Sequence, residues 1–167
     1  MELHLHSHHL EHRSPDWVAA AASGFVAGAI LMVLELIWSS LIQGANPWFT
    51  SHMIAGIVLG IDVVRSSGFS VGIVGVALIV HYVLGIAFGL VLAAVMAPFH
   101  VDSSIGKSVL VGAVFGLILY LVNFYVLAGL FPWFADMRGW AALSANLIFG
   151  MAAAVMYMTL ERPEIAR

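Results

Sequence analysis

Cysteine is absent from the chain, which excludes disulfides, thiolate metal sites and cysteine nucleophiles and leaves the redox compartment undetermined. Charge is scarce too. Only 9% of the 167 residues are Asp, Glu, Lys or Arg, against roughly 25% in an ordinary soluble domain. The net charge of −3 is too small to call for a polyanionic partner, and no basic patch with interleaved aromatics appears, so nucleic acid is not an expected partner. What takes the place of charge is apolar. With 62% hydrophobic residues and a mean hydropathy of +1.04, the chain reads as an integral membrane protein in contact with the lipid bilayer.

Four apolar runs, about 17–43, 69–99, 109–131 and 140–160, are each long enough to cross roughly 30 Å of hydrocarbon. They form a single transmembrane domain over 17–160, between polar tails at 1–16 and 161–167. The first two runs exceed the required length and should tilt. Between them a marginal segment, about 48–64, carries His52 and Asp62. It reads as an interfacial or re-entrant helix beginning after Pro47, with Trp48 at the headgroup level. With four spans, Arg13, Lys107, Arg162 and Arg167 share a side, leaving Arg65 and Arg138 opposite. That excess places both termini in the cytoplasm.

The leader holds His4, His6, His8, His9 and His12. On a helix, His4, His8 and His12 would share a face at a spacing that suits imidazole ligation of a divalent metal. A solvated tail is the favoured reading, because nothing in the spacing fixes a closed four-ligand site. Nor does the leader read as a secretory signal, since it lacks a cationic start and the apolar run behind it is too long.

The first run contains one acid, Glu35, and Gly24, Gly28, Leu31, Glu35, Ser39 and Ile42 fall on one helical stripe. A carboxyl facing lipid is costly, so this stripe should face protein. The order of features then repeats. Gly24 precedes Glu35 by eleven positions and Gly112 precedes Asn123 by eleven; PWF follows each span, at Pro47 and at Pro132; His81 precedes Gly85 by four and Asn146 precedes Gly150 by four. Two parallel helix pairs, related by an axis along the membrane normal, are the architecture this order predicts. The predicted fold is therefore all-α, an integral membrane four-helix bundle of two two-helix repeats with one extra helix after the first span.

Overlaying the halves yields Glu35, His81, Asn123 and Asn146, one polar residue per span. Gly24, Gly28, Gly85, Gly89, Gly112, Gly116 and Gly150 lie on the corresponding faces and allow close helix packing, so the four polar groups are expected to meet in the bundle interior. Glu35 with His81 can share a proton or hold a cation, or all four can simply hold helices in register, the reading given more weight. The segment FPWFADMRGW places Asp136 and Arg138 as a prospective ion pair in an interfacial turn. Trp48, Phe49, Trp133, Phe134 and Trp140 offer an aromatic belt or a docking surface. Ser39, Ser144 and Tyr120 lack a recognisable base and orienter, so no enzymatic activity is expected. No cofactor is required by the sequence. Haem on His81 would need a second core histidine from another chain.

The strings HYVLGIAFGLVLA, GAVFGLILYLVNFY, LFPWFADMRGW and NLIFGMAAAVMY resemble those of a bacterial family of small four-span membrane proteins without an established activity, over about 24–157. Members often carry the label "sodium:proline symporter". This chain is too short for the many-helix, broken-helix plan of such symporters. The resemblance implies the four-span fold and a bacterial inner membrane, and leaves function open. The leading expectation is a non-enzymatic accessory or assembly subunit of a larger membrane complex. A small oligomeric proton or cation transporter or channel is the alternative, and a haem-binding redox subunit the third.

Overall fold

The computed structural model describes residues 14–42, 46–99 and 104–161. The histidine-rich leader with His4, His8 and His12, and the C-terminal tail after Glu161, lie outside them. Every regular element among the described residues is helical.

Four helices are long and apolar enough to cross a membrane: Trp17–Ser40, Val71–Met96, Ile105–Gly129 and Trp140–Leu160. They are α1 (Trp17–Ile37, continued by a π-helical turn over Trp38–Ile42), α4 (Val71–Met96), α5 (Ile105–Leu121, continued by a π-helical turn over Val122–Val126) and α6 (Trp140–Leu160). Two shorter helices, α2 (Phe49–Leu59) and α3 (Ile61–Arg65), occupy the expected position after the first span. They form two pieces where the sequence suggested one. Gly60 divides them at φ 90° and ψ 179°, a backbone conformation essentially confined to glycine.

Local chemistry fixes several helix starts. Asp16 accepts from the backbone N–H groups of Val18 and Ala19 at 3.1 and 3.0 Å, and Ser104 accepts from that of Lys107 at 3.3 Å. These side chains satisfy donors that the first turn of a helix leaves open. The Asp16 backbone N–H in turn donates to the hydroxyl of fully buried Tyr157 at 3.2 Å, and that hydroxyl donates to Glu161 at 3.2 Å. The beginning of α1 is thereby tied to the end of α6.

The spans pack as two close pairs, α1 with α4 and α5 with α6. A methyl group added at Gly24 would run into the Gly85 carbonyl, and one added at Gly150 into the Gly112 carbonyl. Gly89 lies against the backbone of Ala20 and Gly24, and Gly116 against that of Asn146 and Leu147. Gly28 differs, since an added methyl would meet only the His81 and Tyr82 rings, at 3.6 Å and beyond. Helix backbones come this close only where side chains are missing, and in a membrane such packing replaces a hydrophobic driving force between helices.

The core joining the pairs is small-residue rich: Ala19, Ala20, Ala27, Ala93, Ala153 and Ala154 surround Leu92, Met96, Phe149 and Tyr157. Large apolar side chains such as Val18, Val71, Ile79 and Leu110 point outward and are exposed. Outward Val and Leu beside an alanine interior is the arrangement of a protein whose solvent is lipid.

Between the pairs, packing is unequal. α1 runs along α6, whereas α4 and α5, the corresponding helices under a half-turn, scarcely touch. α2 packs against α4, and the indole of Trp133 donates to the Met53 carbonyl at 3.1 Å. α2 thus lies against α4 and is joined to the segment before α6.

Candidate functional site

Glu35 lies in the last turn of α1, His81 in the middle of α4, Asn123 in the π-helical turn that ends α5, and Asn146 in the second turn of α6. All four line one cavity of ≈ 210 Å³. Its walls are otherwise largely apolar, with Leu31, Phe88, Leu119, Phe124 and Phe149 from the spans and Ile54 and Ile57 from α2. Phe131, Phe134 and Met137 close one side. A smaller cavity of ≈ 40 Å³ lies between α1, α2 and α4 and contains the polar side chains of Ser39, Thr50 and Ser51. Glu35 and His81 line both cavities.

Backbone carbonyls orient three of the four polar side chains. His81 Nε2 lies 2.8 Å from the Gly28 carbonyl oxygen, a contact in which the nitrogen must donate because a carbonyl only accepts. Asn146 Nδ2 donates to the Ala142 carbonyl at 2.8 Å, so its Oδ1 is turned toward Asn123, whose Nδ2 donates to it at 3.4 Å. Glu35 is the exception. Among the described residues its carboxyl has no hydrogen-bond or ion-pair partner, and neither His81 nor Asn123 is joined to it. The α1 stripe brings Gly24, Gly28 and Ser39 inward as buried residues, and the buried Ser39 hydroxyl donates to the Leu36 carbonyl at 3.2 Å.

Several neighbouring residues fall differently from the sequence expectation. Arg138 does not pair with Asp136. Its Nε donates to the Phe124 carbonyl at 2.7 Å, and its guanidinium lies 4.4 Å from the centre of the Tyr125 ring. The π turn around Asn123 leaves backbone carbonyls without regular helical partners, and a cation nearby is the natural donor. The aromatics grouped as an outer surface also separate. Phe134 is buried against Phe124, Trp133 reaches Met53, Trp48 packs on Phe69 with ring centres 4.7 Å apart, and Trp140 meets Trp38 edge to face at 4.5 Å. His52 is buried on α2, with Nδ1 2.7 Å from the Trp48 carbonyl. It does not line the cavity that His81 lines.

Sequence reasoning named one polar residue per span and missed the contribution of α2. Thr50 and Ile54 line both cavities. The periodicity of a marginal 11-residue helix carries no sign of this, because its place depends on packing against α4 and on Trp133, 80 residues along the chain from Met53. Tyr157 was missed for a similar reason, since Asp16, which it ties to the end of α6, lies 141 residues away in the chain.

No protein-family model, curated protein or solved structure matches this chain.

Proposed function

We propose that this integral membrane protein is non-enzymatic and holds a proton or small cation at Glu35, in the manner of a small transporter or channel. Its two termini lie on the cytoplasmic side of a bacterial inner membrane. One observation carries the reading: four polar residues, one from each span, line a single cavity, and the one acid among them has no partner among the described residues. A carboxyl serving only as glue would be hydrogen-bonded across a helix interface, as His81 is to Gly28, because an unsatisfied polar group inside a membrane is costly. Glu35 instead faces space shared by two cavities, where a bound cation or proton would complete it. The accessory-subunit reading has less behind it: of the aromatics that would form a docking face, Phe134 is buried on Phe124, Trp133 is bonded to α2 and Trp48 packs on Phe69, which leaves Phe49 and Trp140 exposed.

The duplication belongs to the same proposal. Gly24 meets Gly85 and Gly112 meets Gly150, while the stretches after Glu35 and around Asn123 both take π-helical form. We infer two copies of one helix pair, the first carrying an inserted α2 and α3 that keep α4 apart from α5.

Reconstitution into vesicles enclosing a pH-sensitive or a sodium-sensitive dye, with a potassium diffusion potential as driving force, tests the reading. Wild-type vesicles should take up protons or sodium faster than empty ones, and Glu35→Gln should abolish the difference. Equal flux through wild-type and Gln vesicles, or none above empty vesicles for either ion, would remove the proposal.

A further inference from the structure

The cavity's free hydrogen-bonding capacity is lopsided. With Nε2–H given to Gly28, a neutral His81 has only Nδ1 left, and Nδ1 then accepts. Asn146 is oriented by Ala142 and in turn orients Asn123, which leaves the Asn123 Oδ1 as a further open acceptor. Glu35 adds two carboxyl oxygens with no partner among the described residues. Against these acceptors stand the second N–H of each amide and the hydroxyl of Thr50. The single acidic side chain among the cavity residues faces no Lys or Arg there. A ligand that satisfies this wall brings hydrogen-bond donors and, opposite an ionised Glu35, one positive charge.

Shape narrows the class. Hard metal ions such as calcium take six to eight oxygen ligands, and among the described residues no group of three or more His, Asp or Glu side chains is placed to hold one. Phe88, Phe124, Phe149, Leu31 and Leu119 make most of the wall hydrocarbon. A bare inorganic cation would leave that wall unused, whereas an apolar body would fill it and a ring face would attract a cationic head. An apolar cavity of about 150 Å³ holds benzene. This one, at ≈ 210 Å³, has room for an aromatic ring with a short arm.

We propose that the cavity binds an organic ammonium ion, a compact apolar body with an N–H-bearing head directed at Glu35, His81 Nδ1 and Asn123 Oδ1. This assignment rests on the reading of the cavity as a cation site and names the kind of cation.

Calorimetric titration of the detergent-purified full chain with benzylammonium tests it, with benzyl alcohol and phenylacetate as neutral and anionic probes of similar shape. Benzylammonium should bind at least about tenfold more tightly than either, the scale of one charge-assisted hydrogen bond. Glu35→Gln should weaken it by about tenfold or more while the elution volume and helical circular dichroism stay unchanged. Leu84→Trp, which fills the cavity from an apolar wall position and leaves the polar groups intact, should also abolish binding. Equal binding of benzyl alcohol, or undiminished benzylammonium binding by folded Leu84→Trp, would overturn the assignment. Glu35-dependent proton or sodium flux without benzylammonium binding would overturn it too, with the cation reading left standing. Glu35-dependent benzylammonium binding without ion flux would support the ligand class and remove the transport reading.

Discussion

At the scale of single residues, Glu35 is distinguished by what it does not touch. His81, Asn123 and Asn146 each spend a polar hydrogen on a neighbour, so replacing any of them disturbs helix registry as well as the cavity. Replacing Glu35 by Gln keeps size and hydrogen-bonding capacity and removes the charge. Because no partner among the described residues is lost, thermal stability in detergent should change by less than about 1 kcal/mol, the scale of substitutions away from a specific interaction, while ion movement disappears. Glycine positions divide just as sharply. Gly150→Ala drives a methyl into the Gly112 carbonyl, a backbone atom that cannot swing aside, and should cost about 1–3 kcal/mol. Gly28→Ala meets only side-chain atoms at ordinary contact distance and should leave the melting temperature nearly unchanged. Measuring the two melts side by side checks whether the α5–α6 approach sets stability.

At the scale of elements, α2 is the piece on which the cavity's shape depends. It is short, is held to α4 by packing and to the segment before α6 by the Trp133 indole, and ends at Gly60, whose φ of 90° a side chain tolerates poorly. Gly60→Ala should therefore destabilise the α2–α3 junction by about 1–3 kcal/mol, seen as faster hydrogen exchange over 49–65 with little change in the spans. Trp133→Phe keeps the apolar contact and loses one hydrogen bond, at a cost of about 1 kcal/mol. Faster exchange confined to α2 is the expected result, and unchanged exchange there would show that packing on α4 alone holds it. The π-helical turns after Glu35 and around Asn123 belong to this scale as well. A π turn interrupts the regular i to i−4 bonding, and in α5 the freed Phe124 carbonyl is met by Arg138.

At the scale of the whole molecule, an even number of spans puts both ends on one side. Single-cysteine variants can be made on a background that contains no cysteine. Labelling of intact cells at Ser7 and Ser103 should be blocked from outside, and labelling at Ser66 should proceed. Access to Ser66 from the same side as Ser7 and Ser103 would require α2 and α3 to form a fifth crossing, for which 11 and 5 residues are too few. The helix pairs also predict what survives cutting. If each pair is a folding unit, coexpressed fragments 1–103 and 104–167 should reassemble through α1 and α6, the one extensive contact between the halves.

The sequence alone was enough for the class and the spans, because lipid imposes one simple rule: a segment that crosses must be helical, about 20 residues long and nearly free of charge. Composition and run length therefore placed four helices, with ends that differ from Trp17–Ser40, Val71–Met96, Ile105–Gly129 and Trp140–Leu160 by a few residues. The stripe of glycines around Glu35 and the matched glycines of the later spans pointed to the faces that pack, since only small residues permit backbone contact. Three matters were left to the tertiary structure. Which helix pairs leave a gap depended on α2, which is held by packing on α4 and by a tryptophan far along the chain. Which polar groups are satisfied depended on the carbonyls of Gly28 and Ala142, and backbone acceptors carry no residue-specific signal. That Glu35 has no partner among the described residues, although His81 and Asn123 line the same cavity, depended on where side chains end, and helical periodicity specifies a face without specifying that reach.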